Sequence, residues 1–201
     1  MPVPDDGRLL STLTQKEVDL HVALRIGVST VVEVPWPHIV IRDTLPKSTH
    51  EALLEAARTF DFGRAVQGRR YRIVDASFSP AVAAFESELV LDALEHKLGF
   101  RGFPRPRLVH DVKGYEYPIH PDIPEKAGTL QLYLTDEYVD GYGTRLHEGP
   151  SSPSFVEVPY LPNLAYAFKK TDRSFHSTGR ICGAKPRRSL LIPYMTERLS
   201  R

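Results

Sequence analysis

Cysteine is almost missing from this chain, with Cys182 the single example in 201 residues. A lone thiol excludes an internal disulfide framework and any cysteine-rich zinc site. Long apolar runs are missing as well: no stretch approaches the roughly 18 consecutive apolar residues of a membrane-spanning helix. The opening MPVPDDGRLLSTLTQKEVDL lacks the basic start and apolar run of a secretory signal. Neither sign of charge dominates, since 26 Lys and Arg face 25 Asp and Glu for a net +1. No global field then draws the chain to nucleic acid or to an anionic membrane. Repeats, low-complexity tracts and long linkers are also lacking. Together these absences predict a cytoplasmic protein without nucleic-acid or membrane partners.

What remains is ordinary globular composition, 41% hydrophobic and 25% charged. A single domain of this length buries roughly 70% of its unfolded surface and needs no covalent staples. The 17 prolines argue for many turns rather than a helical bundle. Val31 to Val34 and His38 to Ile41 read as short β-branched strands divided by Pro35-Trp36-Pro37. Ser48 and Glu51 form a capping-box pattern, after which Leu53, Leu54, Ala57 and Phe60 recur at helical spacing. Ser79-Pro80 predicts a second helix that restarts at Ser87 and stops at Gly99. Beyond Leu108 the period shortens. Thr129 to Leu134 alternates polar and apolar, and Phe155 to Val158, Asn163 to Phe168 and Arg187 to Ile192 read as further strands. Short strands at this spacing predict a mainly β fold with N-terminal helices packed outside one sheet, a jelly roll or double-stranded β-helix.

Within that frame, His120-Pro121-Asp122 places an imidazole and a carboxylate on one face of an extended segment, where both can grip one ion. Alone the pair is weak, because a chain with eight histidines yields such a match by chance and a solvated turn around Pro121 is the simpler explanation. The neighbours change the weighting. The ligand-like turn feeds the alternating strand ending in Tyr133-Leu134; later come Ser174-Phe175-His176-Ser177 and then Arg187-Arg188-Ser189, opening the last apolar strand.

HPDIPEKAGTLQLYL, then GTRL, NLAYAF, FHS and RRSLLIPY, resembles the Fe(II)- and 2-oxoglutarate-dependent dioxygenases, in particular their compact prolyl-hydroxylase-like branch. VPWPHIVIRDTLPKSTHEALLEAA and SFSPAVAAFESELVLDALEHKLGF are similar to the N-terminal strands and helices of that branch, so the resemblance covers roughly residues 30 to 195. It implies one dioxygenase domain over 1–201, in which 1–107 gives N-terminal strands and helical support and 108–195 the jelly-roll core. It also implies that His120, Asp122 and His176 ligate Fe(II), with 2-oxoglutarate and O2 as cosubstrates. Two neutral imidazoles and one carboxylate leave an Fe(II) centre with half its octahedral positions open, which suits that chemistry. Related halogenases carry a small residue where Asp122 stands, so halogenation is not expected.

The far carboxylate of 2-oxoglutarate needs a buried cation. The family arrangement points to Arg187, with Ser189 on its face; Arg188 stays open, because Leu190 and Ile192 on its own face fit a core equally well. Tyr133, on the face of Thr129 and Gln131, matches a tyrosine that donates to the same carboxylate in prolyl-hydroxylase-like enzymes; a packed tyrosine with its hydroxyl in water is the alternative. The expected reaction is hydroxylation of a small polar metabolite. A peptidyl hydroxylase and a cupin-type metal-binding protein without oxygen chemistry are the alternatives. His110-Asp111 and His147-Glu148 are adjacent pairs whose side chains diverge, so neither predicts a second metal site. Trp36 reads as a hydrophobic anchor and Cys182 as a bystander. Arg64, Arg69, Arg70 and Arg72 around Tyr71 read as a solvated loop, and Arg145, Arg173 and Arg180 as loop charges near the site that could pair with an anionic substrate group but are more simply solvated.

Overall fold

The structure is a computed structural model that describes residues 13–63 and 66–197. The opening segment up to residue 12 and Arg64, both interpreted above from sequence, lie outside the described residues. In chain order the elements are α1 (Gln15–Val28), β1 (Val31–Val32), β2 (His38–Ile41), α2 (Lys47–Thr59), β3 (Arg69–Ile73), α3 (Pro80–Glu86), α4 (Glu88–Leu98), β4 (Phe103–Pro104), β5 (Arg107–Asp111) and β6 (Tyr117–His120). They continue with β7 (Lys126–Tyr133), β8 (Thr144–His147), β9 (Val156–Val158), β10 (Ala165–Lys169), β11 (Phe175–Thr178) and β12 (Arg187–Met195). No described helix is long and apolar enough to cross a membrane.

The helices start where short polar side chains satisfy orphan amides. Thr14 and Glu17 make a reciprocal capping box on α1, and Ser79 and Ser87 accept from Val82 N and Val90 N on α3 and α4. Gly99 ends α4 with a φ of 68°, a left-handed turn that glycine adopts without strain. The expected Ser48 cap is not used. α2 begins at Lys47 behind Pro46, with no side-chain cap, and is held by the burial of Leu53, Leu54 and Ala57. α1 was not expected from sequence; its buried Val18, Val22 and Ile26 recur every fourth residue among charges on the other faces.

Two antiparallel sheets face each other. The larger runs β1-β2-β10-β7-β12-β5-β3, with β4 also pairing β12; the smaller runs β6-β11-β8-β9. Alternation sorts the side chains of the larger sheet. Leu130 and Leu132 of β7, Leu190 and Ile192 of β12, Ala165 and Ala167 of β10, and Ile39 and Ile41 of β2 join the helices in one apolar core. The opposite face meets the smaller sheet through a second cluster that includes Trp36, Tyr133, Tyr142, Leu146, Tyr160, Tyr166 and Phe168. Trp36 anchors there as expected: its ring lies 4.9 Å from Phe168 and its Nε1 donates to His147 O at 3.0 Å.

The segment around Tyr71 is a strand, not the solvated loop expected from its charges. β3 pairs residue for residue with β5, and Arg69 is tied down by Asp111 across that ladder. His147 likewise belongs to β8 and is buried, its Nε2 sharing a hydrogen bond with Ser177 Oγ at 2.8 Å.

Candidate active site between the two sheets

The smaller sheet brings the histidines together. β6 and β11 are antiparallel neighbours with His120 and His176 directly opposite, and their ring centroids are 4.4 Å apart. Each ring is oriented by the same short-range device. Nδ1 of His120 meets Pro118 O and Nδ1 of His176 meets Ser174 O, both at 3.0 Å and both two residues back. A proton on Nδ1 satisfies each carbonyl and leaves Nε2 with a free lone pair, the tautomer a metal requires.

Asp122 follows β6 by one turn. Thr129 Oγ1 on β7 donates to its Oδ2 at 2.6 Å, and the Lys126 ammonium bonds its Oδ1. One donor atom each from His120, Asp122 and His176 lies within 4.8 Å of the others, the kind of grouping that holds a metal ion. Electrostatics fit the same use. Burial lowers the pKa of His120 and drives that of His176 to about 4, so both rings are neutral at pH 7, the form a metal would need. Burial alone raises Asp122, but the Lys126 ammonium, the His176 ring and the bonds from Lys126 and Thr129 reverse the sign and keep it ionised.

A second polar cluster occupies the inner face of the larger sheet. Arg187 is 1% exposed. Its Nε donates to Tyr142 O at 2.7 Å, Nη1 to Asp111 Oδ2 at 3.0 Å and Nη2 to Thr144 Oγ1 at 3.1 Å. Tyr133 Oη donates to the same Thr144 Oγ1 at 2.9 Å and accepts from Thr144 N, while its ring lies 5.4 Å from the Arg187 guanidinium. Asp111 also takes two bonds from Arg69, at 2.6 and 3.0 Å. The row Arg69, Asp111, Arg187 crosses three adjacent strands in register and keeps one net positive charge. Beside it, Gln131 Nε2 donates to Ser189 Oγ and Tyr166 Oη to Gln131 Oε1, both at 2.7 Å.

Arg187 and Tyr133 thus share one interior, and strand parity turns Arg188 to the opposite face near Arg58 and Asp136. Lys185 is an exposed partner of Glu137. His110 and Asp111 diverge as expected, His110 against Phe62 and Asp111 inward. Cys182 is exposed. No local pattern in the sequence marks Asp111, Arg69, Thr129, Lys126 or Thr144 as a member of the site. Asp111 meets Arg187 because the two sit at corresponding positions of paired strands, a contact that residue spacing within one strand does not show.

No family model and no curated protein matches the sequence. Solved structures do match. A prolyl hydroxylase from Trichoplax adhaerens, in complex with a hypoxia inducible factor peptide fragment, superposes with a TM-score of 0.64 at 15% identity over 90% of each chain. A Pseudomonas putida prolyl-4-hydroxylase gives 0.64 at 14%, covering 90% of this chain and 100% of that one. HygX from Streptomyces hygroscopicus, with nickel and 2-oxoglutarate bound, gives 0.61 at 12%, covering 92% and 87%. The chain has the jelly-roll fold of the prolyl hydroxylases and related 2OG-Fe(II) oxygenases.

Proposed function

We propose that this chain is an Fe(II)- and 2-oxoglutarate-dependent oxygenase that hydroxylates an unactivated C–H bond of a small polar metabolite, an amino-acid derivative for instance. The carrying observation is the convergence of His120, Asp122 and His176 donor atoms within 4.8 Å, on the inner wall of the fold that such oxygenases share. In this reading His120 and His176 hold the metal through Nε2, and Asp122 contributes one negative charge. Bound Fe(II) supplies the redox chemistry that couples decarboxylation of 2-oxoglutarate to oxidation of the substrate by O2. Thr129 and Lys126 fix the carboxylate. Arg187 and Tyr133 receive the far carboxylate of the cosubstrate, for which the Arg69–Asp111–Arg187 row leaves one unmatched positive charge. Tyr160, Tyr166 and Phe168 exclude water around that receptor and strengthen each charge–charge contact.

The single-domain organisation, with residues 108–195 as the jelly-roll core, and a cytoplasmic location belong to the same proposal. A peptidyl side-chain hydroxylase is the second reading, favoured by the peptide bound to the Trichoplax neighbour. The test is succinate formation from 2-oxoglutarate with Fe(II) and oxygen, without added substrate. A metal-dependent signal that His176→Ala abolishes is expected. A protein that binds no 2-oxoglutarate would instead support a cupin-type metal-binding protein.

A further inference from the structure

Among the described residues, Arg107 differs from Arg69, Arg187 and Lys126 in having no acidic partner. It opens β5 on the same face as Val109 and Asp111, beside Leu191 of β12 and Ile73 of β3. Its Nε is buried without a hydrogen-bond partner, and none of the described carboxylates forms an ion pair with it. Its guanidinium lies 5.5 Å from the centroid of the Tyr71 ring. Burial disfavours its charge, and Arg105 and Arg69 add to that; Tyr71 and Asp122 oppose them. Arg107, Leu191 and Gln131 lie in register across three adjacent strands, and Thr129, next on the face of Gln131, bonds Asp122, which places Arg107 beside the metal-ligand cluster. Tyr71 and Ile73 are 53% and 54% exposed, so Arg107 sits where the interior opens to solvent.

A partly buried guanidinium without an acid destabilises the fold. An incoming oxyanion relieves that cost through a paired, two-pronged hydrogen bond. The charges of the site point the same way. Among the described residues, Arg69, Arg107, Arg187 and Lys126 face Asp111 and Asp122, leaving two positive charges. A divalent metal adds two and doubly charged 2-oxoglutarate removes two. Two positive charges are then left for the substrate. The arginines singled out from sequence do not serve: Arg173 and Arg180 are exposed, and Arg145 alternates with the inward Thr144 and Leu146 and lies over Phe155.

Building on the oxygenase reading above, we propose that Arg107 is the receptor for an oxyanion, carboxylate or phosphate, on a small-molecule substrate, with Tyr71 flanking it at the mouth. The reacting C–H then belongs to a molecule with a free acid group rather than to a residue inside a peptide chain.

The test follows the thermal midpoint of protein loaded with Mn(II) and 2-oxoglutarate at constant ionic strength. The probes are N-acetyl amino acids, their C-terminal amides and inorganic phosphate. At least one acid is expected to raise the midpoint at a concentration ten-fold or more below that of its amide. Arg107→Gln removes that preference, Arg107→Lys keeps part of it, and Arg105→Gln keeps all of it. Phosphate that displaces the acids identifies a phosphorylated substrate; phosphate without effect identifies a carboxylate. With no ligand, Arg107→Gln is expected to melt no lower than wild type, so a folding defect is told apart from lost recognition. Acids and amides that behave alike, or a preference that survives Arg107→Gln, would overturn the inference. Failure to bind Mn(II) or 2-oxoglutarate, seen before any acid is added, would overturn the oxygenase reading and this inference with it.

Discussion

The two polar clusters of the interior are built by different means. At the metal-ligand end, local contacts do the orienting: each histidine leans on a carbonyl two residues back, and Asp122 is gripped from the start of the next strand. At the Arg187 end, proposed to receive the cosubstrate, Arg187 depends on Asp111, Thr144 and Tyr142, and Asp111 on Arg69, so four strands and a loop contribute to satisfying them. The first arrangement can lose a member with little harm to the fold. The second is woven into the fold, since a buried charge without its partner is costly.

The sharpest way to break this contrast is to remove one residue from each end. His176→Ala is expected to abolish metal-dependent turnover while the midpoint of the metal-free protein shifts by no more than a few degrees. Arg187→Ala leaves Asp111 with Arg69 alone and removes buried donors from Tyr142 O and Thr144 Oγ1, and is expected to cost about 1–3 kcal/mol of stability. Denaturant unfolding of the two metal-free variants checks both. Equal stability losses would erase the distinction.

A smaller effect sharpens the metal end. Thr129→Val deletes the 2.6 Å bond to Asp122 but keeps the side-chain shape. Metal affinity is expected to fall about 10–100-fold, as for other partners of metal ligands. Calorimetric titration with Mn(II) reads this directly.

Acid probes a third region, the helix face of the larger sheet. Burial, with the charges of Arg188 and Arg70, lowers the pKa of His110 to about 4, below its ordinary 6.5. The unfolded chain therefore takes up this proton first. Stability from His110 is fully present above pH 6.5 and is lost as pH falls from 6.5 toward 4. His38 and His50, lowered by burial, act with the same sign. His110→Phe is expected to flatten the decline of the thermal midpoint across that window, by a modest amount. An unchanged slope would show that His110 is not held neutral.

The same contrast explains what the sequence revealed. His120, Asp122, Tyr133, His176 and Arg187 stand out because each lies in a short recognisable segment, and the alternation of Thr129 to Leu134 puts Tyr133 on a defined face. Asp111, Thr144 and Arg69 owe their roles to strand register, which no local pattern encodes. Periodicity alone leaves Arg187 and Arg188 equivalent; the family arrangement favours Arg187, and it is Arg187 that has the buried partners. Likewise the basic run around Tyr71 reads as solvated until β5 pairs with it and turns Arg69 inward. α1 was hidden for another reason: with Leu20 and Leu24 exposed, its apolar residues do not mark one stripe.

In the proposed function the two clusters form one site, with 2-oxoglutarate spanning them. The most direct measurement is calorimetric titration of 2-oxoglutarate into wild-type and Tyr133→Phe protein, each with and without Mn(II). The account predicts binding that depends on the metal in wild type and weakens in Tyr133→Phe, with the affinity for Mn(II) itself unchanged. Binding of equal strength with and without Mn(II), or no loss on removing the Tyr133 hydroxyl, would contradict it.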